Sequence, residues 1–326
     1  MLRRHPVGVG KWSVMCVLVL GGVYLPGTTG PIVAAEPGGE WLAASATQTD
    51  ATKSQSSPDK WTKPVPLSFA LRYTLVSDYV FRGVNYSEYP GEGREKPNHQ
   101  FTTSVEWDTS SFGALGLVVW FEWYAAQDKL TPSYNGHNQE IDYTLYWKYL
   151  IAVLATALET GWIAYTFPPL SGDAHTTYEW YLKLSSDAAE LFGAQEAVLN
   201  SYLAYYQDLD LARNGSWWEA GVSHPFALAD CGLAGTAVLK DITVTPSLVL
   251  GVHHRYFDKL GLIDHPMTRL ANLNYGLDVS YDLSRALGWP EQYGKVTVGG
   301  FLNFSQALHR QLLDDELYGG TTVGFA

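Results

Sequence analysis

Residues 141–149 read IDYTLYWKY and alternate strictly between two kinds of side chain. The odd-numbered positions are apolar or aromatic, whereas the even-numbered ones are Asp142, Thr144, Tyr146 and Lys148. A strand points successive side chains to opposite faces, whereas a helix would scatter these polar groups around its circumference. The stretch therefore predicts a β-strand with one apolar face and one polar face.

The same alternation recurs from residue 66 to the end of the chain, for example over 67–73, 115–124 and 273–282. It predicts about twelve strands, with approximate spans 66–84, 99–108, 114–126, 139–150, 154–167, 175–185, 195–208, 215–226, 243–257, 270–283, 294–305 and 316–326. Their mean spacing of about 22 residues exceeds the roughly 8–12 residues typical of soluble sandwiches. It suits strands of about 10 residues joined by turns, which is the period of a transmembrane barrel.

The chemistry of the two faces favours a membrane barrel over a soluble sandwich, in which the apolar face would lie inside. The apolar rows are rich in aromatic residues near the segment ends, where an amphipathic ring suits the bilayer interface. The predicted interface aromatics are Trp107, Trp123, Trp147, Trp180 and Trp218. We therefore predict an all-β protein, a closed antiparallel transmembrane barrel over residues 66–326, with the lipid bilayer as its partner.

The polar rows carry small and charged residues, which suit the wet interior of such a barrel. The acids predicted to face the lumen are Asp78, Glu106, Asp108, Glu122, Asp142, Glu179, Glu219, Asp278 and Asp282. The predicted lumen bases are Arg72, Arg82, Lys148, Lys183, Arg255 and Lys295. Because these acids outnumber the bases, a pore with this lining would weakly prefer cations.

The composition argues against two other classes of protein. The 326 residues include 12 Trp, 21 Tyr and 12 Phe, and only 17% are charged, which is the opposite of a disordered chain. The formal net charge of −12 argues against nucleic-acid binding, which needs a basic surface to neutralise phosphates.

Residues 1–35 have the pattern of a cleavable signal peptide. Its three parts are a positive start at residues 3–11, an apolar stretch at 12–25 that is too short to span a membrane, and small residues up to Ala35. We expect cleavage near Ala35, and a buried N-terminal helix is the alternative.

Residues 36–65 are rich in Ser, Thr, Ala and Pro and lack periodicity, which predicts a flexible periplasmic lead-in segment. Without the leader, Cys231 is the one cysteine left, and a single thiol cannot form an internal disulfide. Its small apolar neighbours favour an unreactive thiol.

Catalytic and metal-binding motifs are weak in this sequence. His253 and His254 are adjacent, so on a strand they would face opposite sides and could not bind one ion. A barrel hydrolase would need a serine within reach of a histidine such as His224, and no serine partner can be named. We expect no catalytic residue, no metal and no cofactor, and the hydrolase remains the least supported alternative.

The last predicted strand places Leu317, Gly319, Thr321, Val323 and Phe325 on one face. A terminal amphipathic strand that closes on an aromatic residue resembles the assembly signal of bacterial outer-membrane barrels. The resemblance implies that Phe325 is read by the outer-membrane assembly machinery, although here Ala326 follows the aromatic.

Residues 77–83, with the sequence SDYVFRG, fall in the first predicted strand. They resemble the opening signature of the TorF family, outer-membrane proteins classed as porins without a well-defined substrate. The resemblance implies a barrel in the bacterial outer membrane and names no solute. On a strand, Asp78 and Arg82 would share one face about 13 Å apart, so each would pair with a neighbouring strand. Such pairs would either shape the pore or rigidify the barrel wall.

The expected function is a channel for passive diffusion of small polar solutes, without a chemical reaction. A twelve-strand barrel is only modestly wider than the eight-strand barrels whose interiors are filled by side chains. A non-conducting structural or adhesive barrel is therefore the main alternative.

Overall fold

The computed structural model describes residues 66–85, 98–124, 140–168, 176–186, 199–230, 235, 238–260, 263, 266–290, 294–308 and 316–325. The predicted signal peptide (1–35), the lead-in segment (36–65) and Cys231 lie outside the described residues. In the described part of the chain, no helix is long and apolar enough to cross a membrane.

Fifteen strands are present in the described residues. They are β1 (Leu67–Val76), β2 (Val80–Phe81), β3 (Val84–Asn85), β4 (Asn98–Asp108), β5 (Ala114–Tyr124), β6 (Glu140–Ile151), β7 (Thr156–Thr166), β8 (Thr176–Ser186), β9 (Asn200–Asp208), β10 (Ser216–Ser223), β11 (Phe226–Ala227), β12 (Ile242–His254), β13 (Thr268–Asp282), β14 (Val296–Ala307) and β15 (Glu316–Phe325). Two short helices, α1 (Tyr256–Lys259) and α2 (Leu283–Leu287), follow β12 and β13.

The twelve long strands form a closed antiparallel barrel. Each pairs with its neighbours along the chain, with β10 pairing directly to β12, and β1 pairs with β15 to close the cylinder. At the closure the backbone of Phe325 lies opposite Leu71. Because no long strand keeps an unpaired edge, the backbone hydrogen bonds are satisfied around the whole ring. The prediction of a closed barrel of about twelve strands is confirmed.

The apolar rows face outwards and the polar rows face the interior. In β6, Asp142 and Thr144 are fully buried, whereas the intervening Tyr143 and Leu145 are 45% and 57% exposed. In a barrel the buried side chains are those that line the lumen, so this pattern is the reverse of a soluble sandwich. The other strands repeat it, with exposed apolar residues such as Leu117 and Leu302.

Small residues in the wall make room for large ones inside the barrel. Gly116 lies beneath the ring of Tyr146, and Gly221 lies beneath the ring of Tyr202, so closely that a Cβ at either glycine would collide with the ring. Inward tyrosines therefore lie flat against the wall, where a larger residue would push them towards the barrel axis.

The first predicted strand, 66–84, is wrong in its second half. β1 ends at Val76, and residues 77–85 turn into the barrel as a separate hairpin made of β2 and β3. Asp78 and Arg82 therefore do not share one face of a barrel strand. The physical reason is the set of contacts inside the barrel, above all the buried Arg82–Glu179 ion pair. The left-handed backbone of Arg82 (φ 51°) and Gly83 (φ 78°) then reverses the chain between Phe81 and Val84.

Two further predicted strand residues lie just outside the strands. Arg255 has a left-handed backbone (φ 55°) and begins helix α1, so β12 ends at His254 instead of near 257. Lys295 precedes β14, which begins at Val296. Both residues lie at ends of the barrel.

Candidate functional site: the lumen and its inner hairpin

Residues 77–85, which we call the inner hairpin, enter the lumen directly after β1. Ser77 Oγ donates a hydrogen bond to Asp78 Oδ2 (2.5 Å), and Asp78 is buried. Phe81 pairs with Val84 across the two-residue turn Arg82-Gly83. Positive φ at both turn residues defines a type I′ turn, for which Gly suits either position and Arg is a costly choice.

The inner hairpin contacts opposite walls of the barrel. Tyr79 packs against Trp120 of β5, and its neighbour Val80 packs against Val249 of β12. In the ring of twelve long strands, β5 and β12 lie six positions apart, which is half the circumference. Phe81 and Val84 each join a further apolar cluster. The hairpin therefore spans the width of the lumen at this level.

Arg82, at the tip of the inner hairpin, forms a buried two-point ion pair with Glu179 of β8. Arg82 Nη1 donates to Glu179 Oε1 (2.6 Å) and Nη2 donates to Oε2 (2.8 Å), and the two side chains are 2% and 1% exposed. Tyr165 Oη also donates to Glu179 Oε2 (2.8 Å). The carboxylate therefore accepts three hydrogen bonds, and these offset part of the free-energy cost of burying it.

Aromatic rings enclose the Arg82 guanidinium. Its carbon Cζ lies 5.1 Å from the ring centre of Tyr206, 5.4 Å from that of Trp217 and 4.6 Å from that of Tyr256. Phe81, in the hairpin itself, adds a fourth ring at 4.7 Å. Each such contact contributes about 0.5–2 kcal/mol, depending on how far the cation is removed from water. We call Glu179, Tyr206, Trp217 and Tyr256 the cation cage.

A group of acids lies beside the hairpin on β5 and β6. Glu122 and Glu140 stand opposite each other in the strand pair, and both are buried. Asn98 Nδ2 donates to Glu122 Oε2 (2.6 Å), and Tyr79 of the hairpin hydrogen bonds to Glu140. Asp142 is fully buried two residues further along β6, and its carboxyl group hydrogen bonds to that of Glu140. This side of the lumen therefore brings three buried carboxyl groups together.

The half of the lumen nearer the start of β1 and the end of β15 is lined by tyrosine–carboxylate pairs. Tyr146 Oη and Lys148 Nζ both donate to Glu106 Oε2, each at 2.7 Å. Tyr181 Oη donates to Glu159 Oε1 (2.8 Å). These contacts give a polar, hydrogen-bonded wall of the kind that suits a water-filled interior.

The structure places the fifteen predicted lumen charges in three groups. Those on strand faces that point inwards are Arg72, Glu106, Glu122, Asp142, Lys148, Glu179, Lys183, Glu219 and Asp278. Those in the inner hairpin are Asp78 and Arg82. Those at the barrel ends are Asp108, Arg255, Asp282 and Lys295. Asp108 accepts a hydrogen bond from the Ser110 amide. Arg255 Nε lies 3.5 Å from Asp258 Oδ2, and Lys295 Nζ lies 3.2 Å from Asp282 Oδ2.

Several residues of this site are not predicted from the sequence. Glu140, Glu159 and Asp208 are buried lumen acids, and their positions follow from the alternation once the strand bounds are known. Trp217 and Tyr256 were missed because large aromatics were assigned to the lipid face, although Trp217 lies on the same side of β10 as Glu219. No local signal marks Tyr256, which lies in helix α1 beyond the strand.

Of the five predicted interface tryptophans, Trp107, Trp123 and Trp218 lie near strand ends and are 42–50% exposed. Trp147 donates through Nε1 to the Phe112 carbonyl (2.7 Å) at one end of the barrel. Trp180 lies near the middle of β8 and packs edge-on against Tyr205.

No group of three or more His, Cys, Asp or Glu residues that could hold a metal ion occurs in the part of the chain that the structure describes. His253 is fully buried and contacts Phe257, whereas its neighbour His254 is exposed and hydrogen bonds to Thr268. His224 packs edge-on against Phe226.

No family model and no curated protein matches the chain. The fold is similar to those of many solved structures, and three of them illustrate it. They are the NanC porin (13% identity, 79% of this chain and 99% of that chain covered, TM-score 0.42), the KdgM porin in complex with disordered oligogalacturonate (13% identity, 79% and 98% covered, TM-score 0.40) and outer membrane phospholipase A from Escherichia coli (11% identity, 79% and 92% covered, TM-score 0.39). Similarity at this level does not distinguish between a channel and an enzyme.

Proposed function

We propose that this protein is an outer-membrane channel through which small polar solutes diffuse passively, and that the inner hairpin is its gate. The observation that carries the proposal is the contrast between the wall and the hairpin. The wall is a closed ring of twelve paired strands, whereas the described contacts that hold the hairpin across the lumen are side-chain packing and the Arg82–Glu179 pair.

The membrane location rests on the two faces of the barrel. Exposed apolar residues surround the outside, and buried polar residues fill the inside, which suits a cylinder with lipid around it and water within it. The predicted signal peptide and the terminal aromatic Phe325 agree with export and with insertion by the outer-membrane assembly machinery. The TorF resemblance of residues 77–83 supports the same assignment, and membership of that family remains a prediction.

A non-conducting structural or adhesive barrel is the second candidate, and the burial of the hairpin favours it. Tyr79, Val80 and Arg82 are all at most 4% exposed, as in a permanent core. The two candidates differ in one property, because a gate must be able to leave the lumen and a core element must not.

Planar-bilayer recording of the full-length protein separates the two candidates. We expect the wild type to dwell in a closed state with resolvable openings, and we expect Arg82→Ala to raise the open probability, because it leaves Glu179 buried without its guanidinium partner. Arg213→Ala is the matched control, since Arg213 is an exposed arginine at the same end of the barrel. If both the wild type and Arg82→Ala fold and insert but never conduct, the channel proposal is wrong.

The open channel is expected to prefer cations. To the predicted surplus of lumen acids the fold adds Glu140, Glu159 and Asp208, all buried on inward faces. Fixed negative charges in a narrow polar pore attract counter-ions and repel anions. The reversal potential under a KCl gradient should therefore shift towards the potassium equilibrium potential, and a shift towards that of chloride would contradict this expectation.

A further inference from the structure

We propose that the cation cage is a binding site for small solutes that carry a guanidinium group, and that Arg82 occupies it in the closed barrel as a tethered ligand. This inference rests on the proposed channel function and names the class of solute that it would select.

The walls of the cage belong to the barrel and not to the hairpin. Glu179 is on β8, Tyr206 on β9 and Trp217 on β10, and Tyr256 is in helix α1. Trp217 is also fixed through its Nε1, which donates to Glu219 Oε1 (2.8 Å). If the hairpin withdraws, the carboxylate and three of the four rings stay in place.

The geometry selects a guanidinium over an ammonium. Glu179 accepts hydrogen bonds from the two terminal guanidinium nitrogens, at 2.6 and 2.8 Å, while the rings of Tyr206 and Tyr256 lie 5.1 and 4.6 Å from the guanidinium carbon. A planar fork satisfies both requirements at once, whereas the compact ammonium of a lysine cannot make the two-point contact.

The turn that delivers Arg82 stores strain. Its φ of 51° lies in the left-handed region, which is unfavourable for a residue with a Cβ. Strain of this kind persists where the surroundings favour the strained state, and here the surroundings are the cage. A free guanidinium solute would gain the same contacts without distorting the hairpin backbone, so it can compete with Arg82.

The acids near the cage strengthen the preference for a cation. Glu219 holds Trp217, Asp208 ends β9 close to Tyr206, and both are buried. A neutral ureido group of the same shape would leave Glu179 facing a group without charge, and buried polar sites reject such analogues strongly.

A binding experiment tests the vacated cage directly. We expect methylguanidinium chloride to raise the unfolding temperature of Arg82→Ala and to quench or shift its tryptophan fluorescence, relative to sodium chloride at equal ionic strength. Arg82→Met is the matched control, because its neutral side chain fills the cage. It should bind methylguanidinium at least about tenfold more weakly than Arg82→Ala does. Adding Glu179→Gln to Arg82→Ala should abolish the response. Heat-modifiable gel migration identifies variants that do not fold.

A flux experiment tests selection by the channel itself. Proteoliposomes containing wild-type protein should take up arginine about tenfold faster than citrulline, which has the same length but a ureido group in place of the guanidinium. Equal uptake of arginine and citrulline, together with no methylguanidinium binding by Arg82→Ala, would overturn the inference while leaving the channel intact. Absence of any solute flux or conductance would instead contradict the proposed function.

Discussion

At the scale of single residues, the proposed gate depends on the contact between Arg82 and Glu179. Both charges are removed from water, and a buried pair of this kind adds little net stability compared with an apolar pair of the same size. Removing either partner is nevertheless strongly destabilising, because the other charge is then left buried without a partner. A closure built this way is stable while docked and is lost once one partner is replaced.

The first prediction follows from that dependence. Glu179→Gln should weaken docking of the inner hairpin by about 3 kcal/mol, so amide hydrogen exchange at Val80–Phe81 should speed up about a hundredfold. Glu106→Gln is the control, because Glu106 pairs with the partly exposed Lys148 in the other half of the lumen and does not touch the hairpin. Unchanged exchange in Glu179→Gln would show that the ion pair does not hold the hairpin.

The second prediction concerns the glycines beneath the lumen tyrosines. Gly116→Ala should force the ring of Tyr146 off the wall, weaken its hydrogen bond to Glu106, and destabilise the barrel by about 1–3 kcal/mol in urea unfolding. Gly300→Ala, at a wall position where an added Cβ makes only an ordinary contact, should cost far less. Equal costs for the two substitutions would contradict the account of the packing.

At the scale of elements, the inner hairpin is the part of the fold that the sequence did not predict. Residues 75–81, with the sequence LVSDYVF, contain no Gly or Pro that would mark the end of a strand, and the turn signal Arg82-Gly83 comes only at the tip. The inward course is decided by contacts distant in sequence, above all with Glu179, 97 residues away. Alternation indicates which face of a strand a residue occupies, and it does not indicate where the chain leaves the barrel wall and enters the lumen.

The third prediction tests the hairpin as a two-state element. Gly83→Ala places a Cβ at a φ of 78° in the I′ turn, which should destabilise the docked hairpin by about 1 kcal/mol and raise the open probability about fivefold. Gly288→Ala is the matched control, since Gly288 also has a left-handed backbone (φ 62°) but closes helix α2 away from the lumen contacts. Gating that responds equally to both substitutions, or to neither, would contradict a gate at residues 77–85.

At the scale of the whole molecule, the sequence predicted the barrel well because one physical rule governs every strand. The predicted fourth strand, 139–150, corresponds to β6 (Glu140–Ile151), and the predicted sixth, 175–185, corresponds to β8 (Thr176–Ser186). Apolar and polar side chains alternate with a period of two along each strand, because lipid lies outside and water inside. Over twelve strands, few folds other than a membrane barrel fit this pattern. Trp120 and Trp217 are not predicted as lumen residues because they are large aromatics inside the barrel, where they pack against Tyr79 and Arg82 of the hairpin.

The proposed gating requires a rigid wall and a movable hairpin, and a reversible cross-link between the two is its most direct test. Val80 of the hairpin packs against Val249 of β12, so cysteines at both positions, in a chain with Cys16 and Cys231 replaced by Ser, would tie the gate to the wall. Single-channel recording should find the oxidised Val80→Cys/Val249→Cys barrel silent and the reduced one opening like the wild type, with single Val80→Cys insensitive to redox state. A barrel that is verified as cross-linked and still conducts as freely as the reduced protein would contradict the claim that the inner hairpin closes the lumen.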